Sequence, residues 1–245
     1  MLRLPWLRRI DAVPDRIDCS MTTVFIARRG AQRTRASQAL LEASRELTVI
    51  GVADTLYRAQ SALAKLDADA LLIDLRLEDG AALSLARSIR DKQGDRPKIM
   101  LVATDSADPL LFMTLRSGAD AYLLEADLPS ASVALRRMMT GEATMGAPVA
   151  AQVLQFFDES ATTSAVSGTA QPSDRRLDWH THATNPMRLS PGECWLLRTL
   201  AEGTRPAEAA LRQGVSAEAL GRRLGNVYRK LSWDLRSGSL SLQAA

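Results

Sequence analysis

From Thr23 onward, short apolar runs alternate with amphipathic stretches. The apolar runs are Thr23–Ala27, Leu47–Ala53, Leu71 to Asp74, Lys98–Thr104 and Ala121–Glu125. Runs of this length bounded by polar turns read as strands buried on both faces. Between them, apolar residues recur at three- and four-residue spacing and predict helices over Gln32–Arg45, Thr55–Leu66, Ala81–Lys92, Pro109–Arg116 and Ser130–Met139. Strand and helix alternating through short turns call for a parallel, doubly wound sheet with helices on both faces, an α/β domain. A further helical stretch, Gly141–Phe157, offers Val149, Val153, Leu154 and Phe157 to cap it.

The pattern then changes twice. From Asp158 to Asn185 large apolar residues become rare and Ser, Thr, Ala and Pro dominate, the composition of a linker. From Leu189 the period is helical again. Ser190-Pro191-Gly192-Glu193 supplies a capping hydroxyl, a first-turn proline and a reciprocal glutamate. Leu196, Leu197 and Leu200 continue that helix to Gly203, Pro206 opens a second that closes at Gly214, and Ser216 caps a third through Leu220, Leu224, Val227 and Leu231. Helix, tight glycine turn, helix is the helix-turn-helix pattern. The expected organisation is an extension over 1–21, an α/β domain over 22–158, a linker over 159–187 and a small all-α domain over 188–245.

Composition narrows the class. With 46% apolar and 24% charged residues the 245-residue chain is globular, and with 4% aromatics its core is aliphatic. A net charge of +3 permits nucleic-acid binding without demanding it. Cys19 and Cys194 are far apart and belong to no metal spacing, which fits a reducing cytoplasm. His180 and His182 fall in the linker with no third ligand nearby and read as exposed linker residues. No metal or other cofactor is expected. No run approaches the ~18 apolar residues of a membrane span. The basic opening, Met1 to Ile10, lacks the apolar core of a secretory signal, and Met21 stands just before the first strand, so residues 1–20 read as an extension or the product of an upstream start. A phosphate-binding glycine loop and a nucleophile elbow are both missing, so an enzyme is not expected.

Asp74 closes the most apolar run, at the strand end where open α/β sheets place their chemistry. The surrounding Leu-Ile-Asp-Leu-Arg-Leu, together with Arg116-Ser-Gly-Ala-Asp-Ala-Tyr122-Leu-Leu124, resembles a two-component receiver domain. Leu189-Ser-Pro-Gly-Glu193, Gly214-Val-Ser216 and Asn226-Val-Tyr-Arg-Lys-Leu231 resemble a LuxR-type helix-turn-helix. The whole chain from Thr22, linker apart, thus resembles a response regulator of the NarL/LuxR type, which implies a five-stranded sheet of flavodoxin-like order and a phosphoryl-accepting role for Asp74. That role requires partners this sequence replaces. Arg28 and Arg29 stand where the family has Mg²⁺-binding carboxylates, and a guanidinium cannot ligate the metal. Ala103 stands at the phosphoryl-binding hydroxyl, with Thr104 one residue late and therefore facing the opposite way unless a shorter loop restores it. Glu125 replaces the charge-neutralising lysine, and Glu78 the usual proline. Asp74 and the switch-type aromatic Tyr122 remain. The resemblance therefore implies a degenerate receiver, with Arg28 or Arg29 paired to Asp74, Glu125 or both; the plainer alternative is a strand-end carboxylate with no regulatory part.

In the helix-turn-helix the resemblance assigns DNA contacts to Ser216, Arg222, Arg223, Asn226, Arg229 and Lys230, Arg222 being the expected base reader. Nine basic against five acidic residues between Arg188 and Arg236 favour a polyanion, although a solvated helix face also accounts for them. Gly221 and Gly225 occupy two positions where family members present DNA-contacting side chains, and they read no base. The expected function is a cytoplasmic transcriptional regulator that binds double-stranded DNA as a homodimer, gated by a protein partner or a small ligand at the receiver-like domain. The dimer contact is expected through that domain or around Leu240 and Leu242. The alternative is an interaction module that modulates another regulator without binding DNA, with the glycines as the mark of lost readout.

Overall fold

The computed structural model describes residues 21–166 and 188–242. The extension 1–20, the segment 167–187 with His180 and His182, and Cys19 lie outside the described residues, as do the side chains of Leu240 and Leu242.

Five strands, β1 (Thr22–Ala27), β2 (Leu47–Ala53), β3 (Ala70–Asp74), β4 (Lys98–Ala103) and β5 (Ala121–Leu124), form one sheet in the order β2-β1-β3-β4-β5. All neighbours are parallel, as the apolar runs imply for strands covered on both faces. Every residue of β3 is buried. Helices α1 (Ala31–Glu42) and α5 (Ala131–Met139) share one face, and α2 (Leu56–Leu63), α3 (Ala82–Gln93) and α4 (Pro109–Arg116) the other. This is the expected doubly wound fold in flavodoxin-like order, which gathers the carboxyl ends of β1, β3, β4 and β5 along one edge.

Two local features differ from the sequence pattern. The acidic turn after Asp74 folds as a two-residue antiparallel hairpin, Arg76–Leu77 against Gly80–Ala81. Its Asp79 accepts the N–H groups of Leu56 and Tyr57 at 2.6 and 3.0 Å, so this carboxylate caps α2 from a distant loop. Those two donors hold its pKa below the usual value. The stretch read as helical from Gly141 is a loop up to Gly146. Helix α6 then runs from Ala147 to Val166, well past the point where linker composition begins. It packs along the C-terminal helix that opens at Pro191, and Phe156 stacks edge-on to Phe112 of α4 while Arg116 lies 4.3 Å over its ring.

The C-terminal part is three helices, α7 (Pro191–Ala201), α8 (Pro206–Gln213) and α9 (Ala217–Leu242). Ser190 and Glu193 form the reciprocal cap that their spacing predicts, and Gly214 takes the left-handed conformation that ends α8 and turns the chain into α9. Leu196, Leu197, Leu200, Leu220, Leu224, Val227 and Leu231 are buried together.

Candidate functional site

The edge of the sheet is filled by one arginine. Arg28 follows β1 directly and is completely buried. Its Nε donates to Asp74 Oδ1 at 2.8 Å, one terminal nitrogen donates to Ser37 Oγ of α1 at 2.7 Å, and the other bonds Glu125, which follows β5. The second oxygen of Asp74 accepts the Arg29 backbone N–H at 2.8 Å. Arg28 is thus the residue that pairs, and it pairs with both carboxylates; the Arg29 side chain points outward to the cleft mouth. One guanidinium shared between two carboxylates does not cancel the desolvation of the inner one, so burial raises the Asp74 carboxyl above its usual pKa despite Arg28 and the Arg29 N–H.

This donor set does not fit Mg²⁺. Both Asp74 oxygens are taken by N–H donors, a fixed cation sits among the carboxylates, and among the described residues no group of three or more His, Cys, Asp or Glu is placed to hold a metal. Ala103 is buried and paired with Leu124. Thr104 lies one residue past the end of β4, where the pleat no longer sets its direction, and it is among the residues lining the cleft beside Asp74. Arg33 and Arg76, which pattern reading passed over, line it too. Arg33 lies in the first turn of α1 while Arg29 precedes its Gly30 cap, so helical spacing does not link the two in the sequence.

Tyr122 is buried, and its hydroxyl accepts the Gly146 N–H at 2.7 Å; burial raises its pKa. It therefore anchors the 141–146 loop, and this loop covers α9. The Ala143 N–H donates to Gly221 O at 3.0 Å, and the Tyr228 hydroxyl donates to Thr144 O at 2.9 Å. A Cβ built on Gly225 would lie 2.1 Å from the Gly141 carbonyl oxygen, and one on Gly221 would lie 3.1 Å from Glu142 Cβ. The two glycines let the helix approach the loop backbone to backbone. The side of α9 on which the resemblance puts base contacts is turned toward the receiver-like domain.

The remaining expected DNA contacts divide. Arg222 and Arg229 are exposed, while Arg223 bonds Gln213 and Asn226 accepts from Arg229. Ser216 caps α9 through the Ala219 N–H. Lys230 is committed internally, to Glu193 at 2.6 Å and to Arg188 O at 3.1 Å, so it ties α9 to the start of α7.

No family model matches the sequence. Comparison with known proteins finds the transcriptional regulatory protein YdfI of Bacillus subtilis (strain 168), 25% identical over 203 residues, which cover 83% of this chain and 86% of that protein. Among solved structures, the two-component response regulator RcsB in complex with DNA aligns with 90% of this chain and 98% of its own at 20% identity and a TM-score of 0.48. RcsB of Salmonella typhimurium aligns with 91% and 99% at 20% identity and 0.47. The response regulator ChrA of a heme-sensing two-component system aligns with 92% and 100% at 16% identity and 0.42. Among the described residues no helix is long and apolar enough to cross a membrane.

Proposed function

We propose that this chain is a cytoplasmic transcriptional regulator that binds double-stranded DNA as a homodimer through α9, with a receiver-like half that works without phosphorylation of Asp74. The observation that carries this reading is the buried Arg28, bonded at once to Asp74, Glu125 and Ser37. It gives the aspartate a permanent internal counter-ion where phosphoryl transfer needs a metal. For the DNA-binding half, support comes from the capped helix, glycine turn and helix of α8 and α9, from exposed Arg222, and from the name of the Bacillus relative, a transcriptional regulatory protein. In the arrangement described, Gly221 and Gly225 face the 141–146 loop, so DNA binding requires α9 to leave that contact. The reading without DNA rested on these glycines as lost readers, and their close approach to Gly141 and Glu142 accounts for them otherwise.

The test is binding to genomic fragments at low salt by wild type, Arg222→Ala and Gly225→Ala. Saturable binding that Arg222→Ala weakens is expected. Failure of both wild type and Gly225→Ala to bind saturably would overturn the DNA assignment.

A further inference from the structure

The cleft above Asp74 has a volume of about 220 Å³. Each carboxylate on its wall has an arginine partner. Arg28 holds Asp74 and Glu125, and Arg76 holds Asp108 at 3.1 Å while Asp108 also caps α4 through the Leu110 N–H. What is left over is cationic. Arg29 and Arg33 line the same cleft, and among the described residues neither guanidinium has an ion-pair partner. Thr104 lines the same cleft. The charge pattern that a metal-dependent phosphoryl acceptor needs is therefore inverted, with paired acids at the bottom and free arginines at the mouth.

We propose that this cleft is a non-covalent site for a small phosphate dianion, either inorganic phosphate or a compact phosphate monoester, held by Arg29 and Arg33 with the Thr104 hydroxyl beside them. The planar fork of arginine matches phosphate oxygens in paired N–H bonds, and two such forks supply a dianion's charge. The volume is below the roughly 300–1,000 Å³ of sites for drug-sized ligands, which suits a phosphate-sized group. No bond is made or broken, and the site rests on the reading that Asp74 is not phosphorylated. It gives a chemical class to the small ligand expected at the receiver-like domain.

Thermal unfolding of the full chain without Mg²⁺, in inorganic phosphate against chloride at matched ionic strength, tests it, with glycerol phosphate titrated in parallel. A saturable rise in Tm of about 3–6 °C is expected at ten times Kd. The rise is expected to vanish in the Arg29→Ala/Arg33→Ala double variant and to persist in Arg35→Ala, which removes an exposed charge from the same helix. The tighter of the two anions names the source. No shift beyond chloride, or one that survives the double variant, overturns the site. Intact mass after a separate incubation with acetyl phosphate and Mg²⁺ keeps the readings apart: an Asp74-dependent phosphoryl adduct overturns the unphosphorylated receiver, whereas unchanged mass there together with no phosphate-specific thermal shift overturns the anion site alone.

Discussion

Replacing Gly225 by alanine should open the contact between α9 and the receiver-like domain. The new Cβ would fall 2.1 Å from the Gly141 carbonyl oxygen and 3.1 Å from its carbon, and these are backbone atoms that cannot rotate away. Overpacking of this kind costs about 1–3 kcal/mol. The helix itself gains roughly 1 kcal/mol from alanine in place of glycine, but it gains this whether or not it is docked, so the closed arrangement alone is penalised. At about 1.4 kcal/mol per decade the ratio of closed to open chains should fall about 5- to 150-fold. Two bonds go with the contact, from Ala143 N–H to Gly221 O and from Tyr228 to Thr144 O. Fluorescence anisotropy with labelled DNA should show tighter binding by Gly225→Ala, up to that factor. Gly221→Ala should act more weakly, because its neighbour is the flexible side chain of Glu142. If Gly225→Ala bound DNA no better than wild type, and its unfolding and proteolysis were unchanged, the glycine would not be serving a docking contact.

Three further outcomes follow from the charged groups. Arg28→Ala leaves two carboxylates without their counter-ion, one of them buried, and should destabilise by about 3–5 kcal/mol, read as a lowered urea midpoint with unchanged slope. The raised pKa of Asp74 means that the folded state binds a proton more readily than the unfolded state. Its stability contribution is thus present below about pH 4 and is lost as pH rises through the folded-state value. Urea midpoints of wild type relative to Asp74→Asn should accordingly fall as pH increases from 4, and a relative rise would contradict the direction. Finally, Arg222→Ala should weaken DNA binding by about 1–3 kcal/mol and relax the sequence preference at the base it reads. Lys230→Met should instead lower thermal stability with little change in DNA affinity, because Lys230 is bonded to Glu193 within the protein.

The sheet was legible because strands buried on both faces leave unbroken apolar runs, and all five fall where those runs do. The charge swap at Asp74 was legible as well, but not which arginine turns inward: that depends on Arg28 continuing the β1 backbone, its N–H bonded to Ala53 O, and on Ser37 one helix away. Strand alternation could not place Thr104, which lies one residue beyond the end of β4. The continuation of α6 was hidden because Ser, Thr and Ala residues have no marked helical pattern, and the helix is held by packing against α7 that no local window contains. The glycines of α9 carried the least readable signal. A close approach between two backbones more than eighty residues apart leaves no periodicity at either end, so a missing side chain looked like a missing function.

The most direct test of the central claim is the covalent state of Asp74 under phosphorylating conditions. Intact-mass spectrometry after incubation of the full chain with acetyl phosphate and Mg²⁺ should show no phosphoryl adduct in wild type, because Arg28 already occupies the carboxylate. An adduct present in wild type and absent from Asp74→Ala would contradict it.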